Sequence, residues 1–476
     1  MPRPIRVREL DEWRDPEAVF LALAAAAPVV AWLDGGADAS DGRSVIAVAH
    51  DDAQIVVSHL DPAAPADSAD EVLDALRAGL AAEQADTTPV DGGERSALGW
   101  IGWFGYEFGA ARNGVPVSIA ATPDAAFFFA DRTVVFDHAS RALRLEWLGD
   151  DDGDAWADDT ARALHGLVET SDAPETSDAP GASADPDASG TSAPGAPRVT
   201  RRHDDATYAR MIADCQAAIR RGDAYQLCLT NRVDVDVRPD PVDAYLRLRR
   251  LSPTHHGGFL RFGDVALLSA SPEQFLLVEP DGRVFTKPMK GTRPRGADPA
   301  SDEALRLELL ESEKERAENL MIVDLMRNDL SRIAELGSVH VPVLLETEAY
   351  PQVHQLVSTV AARLEPGLTA VDAVAASFPA GSMTGAPKIS AMTILHGLEQ
   401  GPRGVYSGAF GCLGVDGSAD LAMVIRSIVL TPDGASIGTG GGITALSDAS
   451  EEIEETKIKA RALVEVLVGR EHSPIQ

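Results

Sequence analysis

The chain has 476 residues, and its 42 lysines and arginines stand against 74 aspartates and glutamates, which gives a formal net charge of -32. This length is enough for roughly two or three domains with a sizeable hydrophobic core. So negative a surface repels nucleic acids and anionic membranes, which excludes them as partners. It also repels a dicarboxylate substrate, unless a metal ion or a local group of cations receives it.

The N-terminal part of the chain, residues 1–165, is predicted to be a strand-rich domain. It contains an apolar run over 18–33, but acidic residues precede this run, a proline interrupts it, and it is too short to span a bilayer. Three cysteines are too few and too widely spaced for a disulfide framework or a zinc site: Cys215, Cys228 and Cys412. These features predict a cytoplasmic protein that does not associate with membranes.

A linker is predicted over residues 166–200. Most of it consists of Ser, Thr, Ala, Asp, Gly and Pro, and the sequence Glu-Thr-Ser-Asp-Ala-Pro occurs twice, from Glu169 and from Glu175. A segment of this composition has almost nothing to bury, so we expect it to be disordered. It separates the N-terminal domain from a second domain over 201–476.

The second domain alternates irregularly between predicted strands and helices. Helices are expected over 206–221, 301–333 and 449–468, with many strands and few regular crossovers between them. This order argues against a doubly wound fold. It favours an α+β fold in which large antiparallel β-sheets form a sandwich core and the helices pack outside.

Lys290 lies in a segment, 286–292, that is predicted to be the end of a strand followed by a Pro- and Gly-containing loop. Lys287, Arg293 and Arg295 are its neighbours in the sequence. If these cations share a pocket with Lys290, they lower its pKa and make a neutral, nucleophilic amine accessible. A solvated basic loop is the alternative that these residues alone leave open.

Glutamates on two predicted helices are possible metal ligands. Glu318 shares a helix face with Glu311 and Glu315, at the point where the helix becomes strongly apolar and a carboxylate needs a partner. Glu452 and Glu455 share a face of the last helix. Carboxylates with few nearby bases suit Mg²⁺, which prefers oxygen ligands. The spacing by itself equally describes two ordinary acidic helix faces.

Other side chains and backbone groups could act on a carboxylate substrate. Glu273, in a turn, could be a general acid if poor solvation raises its pKa, although a turn glutamate that faces water is the default. The glycine run 440–442 lacks the spacing of a nucleotide loop, but its backbone N–H groups could bind a carboxylate. Tyr406 and Arg426 are expected on neighbouring strands, and Arg426 could meet a carboxylate through two hydrogen bonds, unless both have only structural roles.

Six segments follow one another in an order and at separations that resemble those of the chorismate-utilising enzymes: 271–273, 288–292, 316–329, 378–388, 440–442 and 455–456. The resemblance extends over about 208–467 and, more loosely, over the N-terminal part. It implies an anthranilate synthase component I-like version of the α+β fold.

The resemblance also implies a site. Mg²⁺ would be held by Glu318 and Glu455, with Glu452 nearby. The groups around the substrate's carboxylates would be Gly291, Thr292, Lys388, Tyr406, Arg426, Gly440, Gly441 and Gly442. In the N-terminal domain, Trp32 and Asp34 fall where relatives bind tryptophan as a regulator or a structural ligand.

Two positions point to one reaction within this family. Lys290 occupies the place of the nucleophilic lysine of the aminodeoxychorismate synthases, and Gln226 stands where isochorismate synthases carry a water-activating lysine. The resemblance therefore implies amination of chorismate at C4 to 4-amino-4-deoxychorismate, on the route to para-aminobenzoate and folate, with Lys290 as nucleophile and Glu273 as acid. A separate glutaminase subunit is the implied source of ammonia.

Two other functions stay open at this point. One is that of an anthranilate synthase component I, and the other is that of a non-catalytic, tryptophan-sensing subunit. One position departs from the family pattern, since many relatives carry a histidine where this chain has Gln355. Its neighbour His354 would point to the other face of a strand, so we place neither residue in the catalytic set.

Overall fold

The computed structural model describes residues 3–83, 95–167, 197–350 and 353–469. Most of the predicted linker over 166–200 lies outside the described residues, so its disorder stays a prediction. The described chain resumes at residue 197 and already forms a strand at Val199–Arg201, inside the predicted linker. None of the helices in these ranges is both long and apolar enough to cross a membrane.

The strands are β1 (Ile5–Leu10), β2 (Val29–Asp34), β3 (Arg43–Val48), β4 (Ile55–Ser58), β5 (Gly99–Phe104), β6 (Ala125–Ala130), β7 (Arg132–Asp137), β8 (Ala142–Leu148), β9 (Val199–Arg201), β10 (Gln226–Val235), β11 (His256–Phe262), β12 (Val265–Ser271), β13 (Gln274–Val278), β14 (Arg283–Thr286), β15 (Met289–Pro294), β16 (His340–Ala349), β17 (Val353–Arg363), β18 (Gly385–Ala386), β19 (Ala409–Gly414), β20 (Ala419–Met423), β21 (Ser427–Thr431) and β22 (Gly434–Ile443).

The helices are α1 (Pro16–Leu23), α2 (Pro65–Glu83), α3 (Tyr106–Arg112), α4 (Asp151–His165), α5 (Asp205–Arg221), α6 (Pro241–Leu251), α7 (Pro299–Glu311), α8 (Glu313–Ser331), α9 (Ala370–Ser377), α10 (Lys388–Glu399) and α11 (Ala449–Val468), and a 3₁₀ turn lies at Gly381–Met383.

These strands form two large sheets. The first has the order β1-β8-β7-β3-β2-β11-β12-β21-β22-β10-β18, with β9 beside β10, and the second has the order β15-β17-β14-β13-β20-β19-β5-β6-β4, with β16 beside β17. Every strand pair in the described residues is antiparallel. The predicted α+β fold with large antiparallel sheets is therefore confirmed.

Both sheets combine strands from either side of the linker. In the first sheet β2 pairs with β11, and in the second β5 pairs with β19. Segments 1–165 and 201–476, predicted as two domains, therefore contribute to the same sheets, and the sheets do not separate along the predicted boundary.

Side chains that alternate along the strands build the core between the sheets and the layers under the outer helices. On β5, Trp103 enters the cluster between the sheets, whereas Trp100 enters the cluster under α2, where its indole N–H donates to the carbonyl of Leu76 at 3.0 Å. On β12, Leu267 faces the inner cluster and Leu268 the outer one. This alternation is the expected pattern of a strand that is covered on both faces.

The predicted long helix over 301–333 is in fact two helices. Ser312 ends α7 and is also the N-cap of α8, with backbone dihedrals of φ -60° and ψ 110° that leave the helical region. Its hydroxyl accepts a hydrogen bond from the backbone N–H of Glu315 at 3.4 Å, as serine does at helix starts. Glu311 therefore lies on α7, apart from Glu315 and Glu318 on α8.

Candidate active site

A cavity of about 590 Å³ brings most of the predicted site residues together. Its walls come from the segment before β13, from β15, α8, the loop before β19, β22 and α11. The predicted residues that line it are Glu273, Lys290, Gly291, Thr292, Glu318, Tyr406, Arg426, Gly440, Gly441, Gly442, Glu452 and Glu455. Segments far apart in the sequence thus meet at one place, as a catalytic site requires.

Lys290 lies on strand β15 and not in a loop, which corrects the sequence prediction. The register between β15 and β17 shifts between Lys290 and Thr292, and Gly291, at the shift, has a φ of 75°. A Cβ at position 291 would lie 2.7 Å from the Leu309 side chain, so both the backbone and the space there favour glycine. Such a bulge redirects the strand and the side chains beside it.

Of the three cations next to Lys290 in the sequence, only Arg293 lines the same cavity. Lys287 forms an ion pair with Glu348 at 2.8 Å, and Arg295 forms one with Asp302 at 2.7 Å. Arg293 lines the cavity, but its charge is paired, since its Nε lies 3.1 Å from an oxygen of Glu308. The cations next to Lys290 in the sequence are therefore each balanced by an acidic partner.

The condition for a lowered Lys290 pKa, unbalanced cations in its pocket, is not met in this structure. The side chain of Lys290 is largely buried, and its Nζ lies 4.0 Å from Glu318 Oε2. Burial lowers the pKa of Lys290, but the negative charges of Glu318, Glu273 and Glu455 outweigh burial and raise it. In this arrangement the carboxylates around Lys290 favour the ammonium form.

Glu273 is a buried carboxyl group in the cavity wall. Its backbone carbonyl accepts a hydrogen bond from the N–H of Met423 at 3.0 Å, which fixes the turn between β12 and β13. Burial raises the pKa of Glu273 to about 7, although the nearby Ser382 hydroxyl and the charge of Lys290 oppose this effect. The expectation that poor solvation raises its pKa is met, and the carboxyl group can hold a proton near neutral pH.

Each of the three glutamates predicted to bind a metal faces one lysine. The pairs are Glu318 with Lys290 at 4.0 Å, Glu452 with Lys314 at 3.2 Å, and Glu455 with Lys459 at 2.6 Å. Lys314 and Lys459 were not among the predicted site residues. Their spacing was a usable signal, since each lies four residues from a predicted glutamate on the same helix.

The donor atoms of this cluster fit a hard divalent cation. Burial raises the pKa of Glu318 to about 7, and its Oε1 is a buried atom with no hydrogen-bond partner in the described structure. Carboxylate oxygens are the ligands that Mg²⁺ prefers. Over the ranges that the structure describes, however, no three acidic, histidine or cysteine side chains form a group that could already hold a metal. The glutamates supply suitable ligands without being preassembled around an ion.

The glycine run forms part of strand β22, which corrects the prediction of a loop. Positions 440–442 pair with β10, whereas pairing with β21 ends at Ile437, so one edge of β22 is open beyond that residue. Along a strand, successive N–H groups point to opposite sides. Alternate rather than consecutive N–H groups are thus free to meet a ligand in the cavity.

Close approach of other groups explains why β22 contains glycines here. A Cβ at position 438 would lie 1.9 Å from the ring of Tyr406, and one at position 442 would lie 2.1 Å from Gln226 Nε2. At position 441 a Cβ would lie 2.8 Å from Glu452 Oε2. At position 438 the ring leaves no room for a side chain, whereas at 441 and 442 a Cβ would displace the end of the Glu452 or the Gln226 side chain.

Tyr406 and Arg426 lie just outside the strands on which they were expected. Tyr406 is buried in the turn before β19. Arg426 stands between β20 and β21 with a φ of 51°, a strained conformation for a residue other than glycine. Within the described residues its guanidinium group makes no hydrogen bond and no ion pair, and it lines the cavity, so it is available to a carboxylate ligand.

Lys388 does not reach the cavity, so its predicted role in substrate binding is wrong. Its Nζ donates to Asp329 at 2.6 Å and to the backbone carbonyls of Ser377 at 2.9 Å and Pro379 at 2.8 Å. Burial lowers the pKa of Lys388, and the charge of Asp329 opposes this shift. This lysine holds the loop before α10 in place, and its buried ion pair could not be read from the motif.

Arg403 is a structural residue behind the cavity that the sequence analysis missed. Its guanidinium group donates to Glu399 at 2.8 and 2.9 Å, and it lies 4.1 Å from the ring of Tyr106. It also donates to the carbonyls of Met383 at 2.7 Å and Cys228 at 2.9 Å, and both of these residues line the cavity. Arg403 therefore joins two wall segments to the core.

The two residues predicted to contact tryptophan lie in different places. Trp32 lies in the hydrophobic core, and Asp34 lies in the wall of a second cavity, of about 510 Å³. Asp34 lines this cavity, but its carboxylate is paired with Arg249 at 2.6 Å and with the hydroxyl of Tyr245 at 2.9 Å. Trp32 points to the other side and packs on Phe20, with the ring centroids 4.9 Å apart. Tryptophan binding stays a prediction, and the indole of Trp32 is not part of the cavity wall.

Gln355 and His354 point in opposite directions, as their places on a strand predict. Gln355 lines the active-site cavity. His354 is buried elsewhere, with its Nε2 2.8 Å from Asp302 Oδ1.

The sequence matches the family model described as chorismate binding enzyme over residues 31–465. Aminodeoxychorismate synthase from Streptomyces griseus is 46% identical over 377 residues, which cover 78% of this chain and 50% of that protein. The chain thus spans about half the length of that relative. Anthranilate synthase component 1 from Streptomyces coelicolor is 40% identical over 402 residues, which cover 82% of this chain and 76% of that protein.

Among solved structures, anthranilate synthase component I from Streptococcus pneumoniae TIGR4 is similar to this chain, with a TM-score of 0.67 and 28% sequence identity. The match covers 97% of this chain and 92% of that one. The predicted anthranilate synthase component I-like fold is thereby confirmed.

Proposed function

The chain belongs to the chorismate binding enzyme family, and from this premise we propose that it aminates chorismate at C4 to give 4-amino-4-deoxychorismate. The observation that carries the proposal is the position of Lys290. Its side chain is largely buried in the wall of the same cavity as Glu273, Glu318 and Arg426. A lysine held there can form a covalent bond with a bound ring, which divides one difficult displacement into two easier ones.

The proposed reaction uses Lys290 and Glu273 in two displacements. In the first, the ammonium group of Lys290 loses a proton to solvent and the neutral amine bonds to C2. The ring double bonds shift, and the C4 hydroxyl leaves as water with the proton of Glu273. In the second, ammonia bonds to C4, the double bonds shift back, and the C2–N bond breaks to release Lys290. The raised pKa of Glu273, about 7, supports its role as the acid, because the carboxyl group can be protonated near neutral pH.

The polar groups of the cavity would hold the dianionic substrate. Arg426 would bind one carboxylate through two parallel hydrogen bonds, and the open edge of β22 would supply N–H donors. Mg²⁺ would be held by Glu318 and Glu455, with Glu452 nearby. Once bound, it would balance the charge of these glutamates and bind a carboxylate of the substrate. This is how a dicarboxylate could enter a protein with a net charge of -32.

A glutaminase partner is the proposed source of ammonia. A glutaminase of this kind needs a reactive cysteine, whereas Cys215, Cys228 and Cys412 are all buried. Burial raises the pKa of each of these thiols, which makes them poor nucleophiles.

Product analysis tests the proposal against its nearest rival, an anthranilate synthase component I activity. The purified chain is incubated with chorismate, Mg²⁺ and ammonium at alkaline pH, and the products are separated by chromatography. We expect a product that yields 4-aminobenzoate only after 4-amino-4-deoxychorismate lyase is added. Fluorescent anthranilate with release of pyruvate would instead establish the rival activity. Turnover by the chain alone would also exclude a non-catalytic sensing subunit.

A further inference from the structure

Gln355 presents an unpaired acceptor to the active-site cavity. The residue is half-buried on β17, opposite Thr292 on β15, and it lines the cavity beside the strand that carries Lys290. Its side-chain oxygen, Oε1, is buried and accepts no hydrogen bond in the described structure. Leaving a buried acceptor unpaired costs free energy, and native proteins rarely do so. In the wall of a binding cavity, such an atom points to a ligand that brings the missing donor.

The other unpaired buried atoms in this wall have different explanations. Among the described residues that line the cavity, they are Glu318 Oε1 and Ser382 Oγ. Glu318 belongs to the proposed metal site, and the hydroxyl of Ser382 can rotate and act either as donor or as acceptor. Gln355 Oε1 is therefore the one neutral, acceptor-only atom of this set that still lacks a donor.

The chemistry of chorismate identifies the donor. As a dianion, the molecule has two carboxylates and an ether oxygen, all of which are acceptors, and its C4 hydroxyl is its only hydrogen-bond donor. We propose that Gln355 binds the C4 hydroxyl of chorismate by accepting its hydrogen at Oε1, an inference that rests on the proposed function of this cavity.

This contact would prepare the hydroxyl for departure. When Gln355 accepts the O–H hydrogen, the lone pairs of the hydroxyl oxygen stay free for the proton of Glu273. A carboxamide does not titrate in this range, so it does not compete for that proton. His354 cannot take this role, because its ring is bound to Asp302 on the other face of the strand.

Two unreactive aromatic ligands test the contact. These are 3-(1-carboxyvinyloxy)benzoate and its 4-hydroxy derivative, which differ only in the donor at the position of the C4 hydroxyl. Dissociation constants are measured by calorimetry with Mg²⁺ for the wild type and for Gln355→Met, which keeps the side-chain length but has no oxygen. We expect the wild type to bind the 4-hydroxy ligand roughly threefold to tenfold more tightly, as one neutral hydrogen bond allows, and Gln355→Met to bind both alike.

Two further variants separate this contact from a structural role. Gln355→Glu keeps an acceptor, so it should retain the preference for the 4-hydroxy ligand while binding both ligands more weakly because of the added charge. Gln355→Asn withdraws the acceptor by one methylene and should lose the preference, which provides a second measurement if Gln355→Met does not fold. An unchanged preference in both Gln355→Met and Gln355→Asn would overturn the inference. If neither ligand binds the wild type, the proposed function of the cavity fails first.

Discussion

Replacing Arg403 by methionine should strongly destabilise the protein. The guanidinium side chain is 1% exposed and the carboxylate of Glu399 is 4% exposed, so the substitution leaves a buried charge without its partner. Breaking a buried ion pair in this way costs about 3–5 kcal/mol. The lower end of that range is expected here, because Glu399 keeps the hydrogen bond from the backbone N–H of Thr230 at 2.9 Å. The free energy of unfolding, measured in urea, gives the cost directly.

A double-mutant cycle tests whether the ion pair is the cause. Arg403→Met combined with Glu399→Gln removes both charges, so it should cost less than the sum of the single substitutions, by about 1–3 kcal/mol. Arg327→Met is the matched control. Its exposed pair with Asp324 lies on the surface, with 51% and 82% of the side chains exposed, and its loss should cost within about 0.5 kcal/mol. Additive single effects, or an Arg403→Met cost as small as that of the control, would refute this reasoning.

Three other predictions concern the cavity and the lysine that holds the loop before α10. With free ammonia held constant, kcat/KM should rise with pH and level off above about 7, because the reaction needs neutral Lys290, whose share rises with pH, and protonated Glu273, whose share falls above about 7. Glu273→Gln should remove this levelling and lower the rate roughly 10²- to 10⁴-fold. Gly438→Ala should displace the ring of Tyr406 and weaken chorismate binding at least about tenfold by calorimetry, whereas Gly397→Ala, which meets nothing within 4 Å, should leave binding unchanged. Lys388→Met should lower the urea midpoint and leave chorismate affinity unchanged in the folded protein.

Each of these expectations has a result that would contradict it. A levelling of kcat/KM near pH 7 that persists in Glu273→Gln would assign the acid to another group. Normal binding by Gly438→Ala would mean that the Tyr406 ring has room to move. A loss of chorismate affinity in folded Lys388→Met would restore this lysine to the substrate site.

The order of the motifs predicted which residues line the site, but not the charges and ion-pair partners of their side chains. Lys290, Glu273 and Glu318 do line one cavity. The charge environment of Lys290 was not predicted, because Lys287, between β14 and β15, pairs with Glu348. The carboxylates around Lys290 come instead from α8, from α11 and from the turn before β13. Such contacts depend on tertiary structure, which local sequence does not specify.

The bounds of the helices were easier to predict than the pairing of the strands. Helices α5 and α11 have almost the predicted bounds, because their caps and apolar faces are local signals. The glycine run looked like a loop, since glycine weakens strands in general. It is a strand because it pairs with β10, and it contains glycine because a Cβ at position 440 would lie 2.5 Å from the backbone oxygen of Leu229. The pairing of β2 with β11 and of β5 with β19 joins distant segments and has no signature in the sequence.

Covalent capture of chorismate on Lys290 tests the central claim most directly. The wild type is incubated with chorismate and Mg²⁺ without ammonia, quenched, digested and mapped by mass spectrometry. We predict an adduct on Lys290 with the mass of chorismate less one water, and neither the adduct nor C4 amination in Lys290→Ala. No adduct in the wild type, together with full amination activity in Lys290→Ala, would contradict the account.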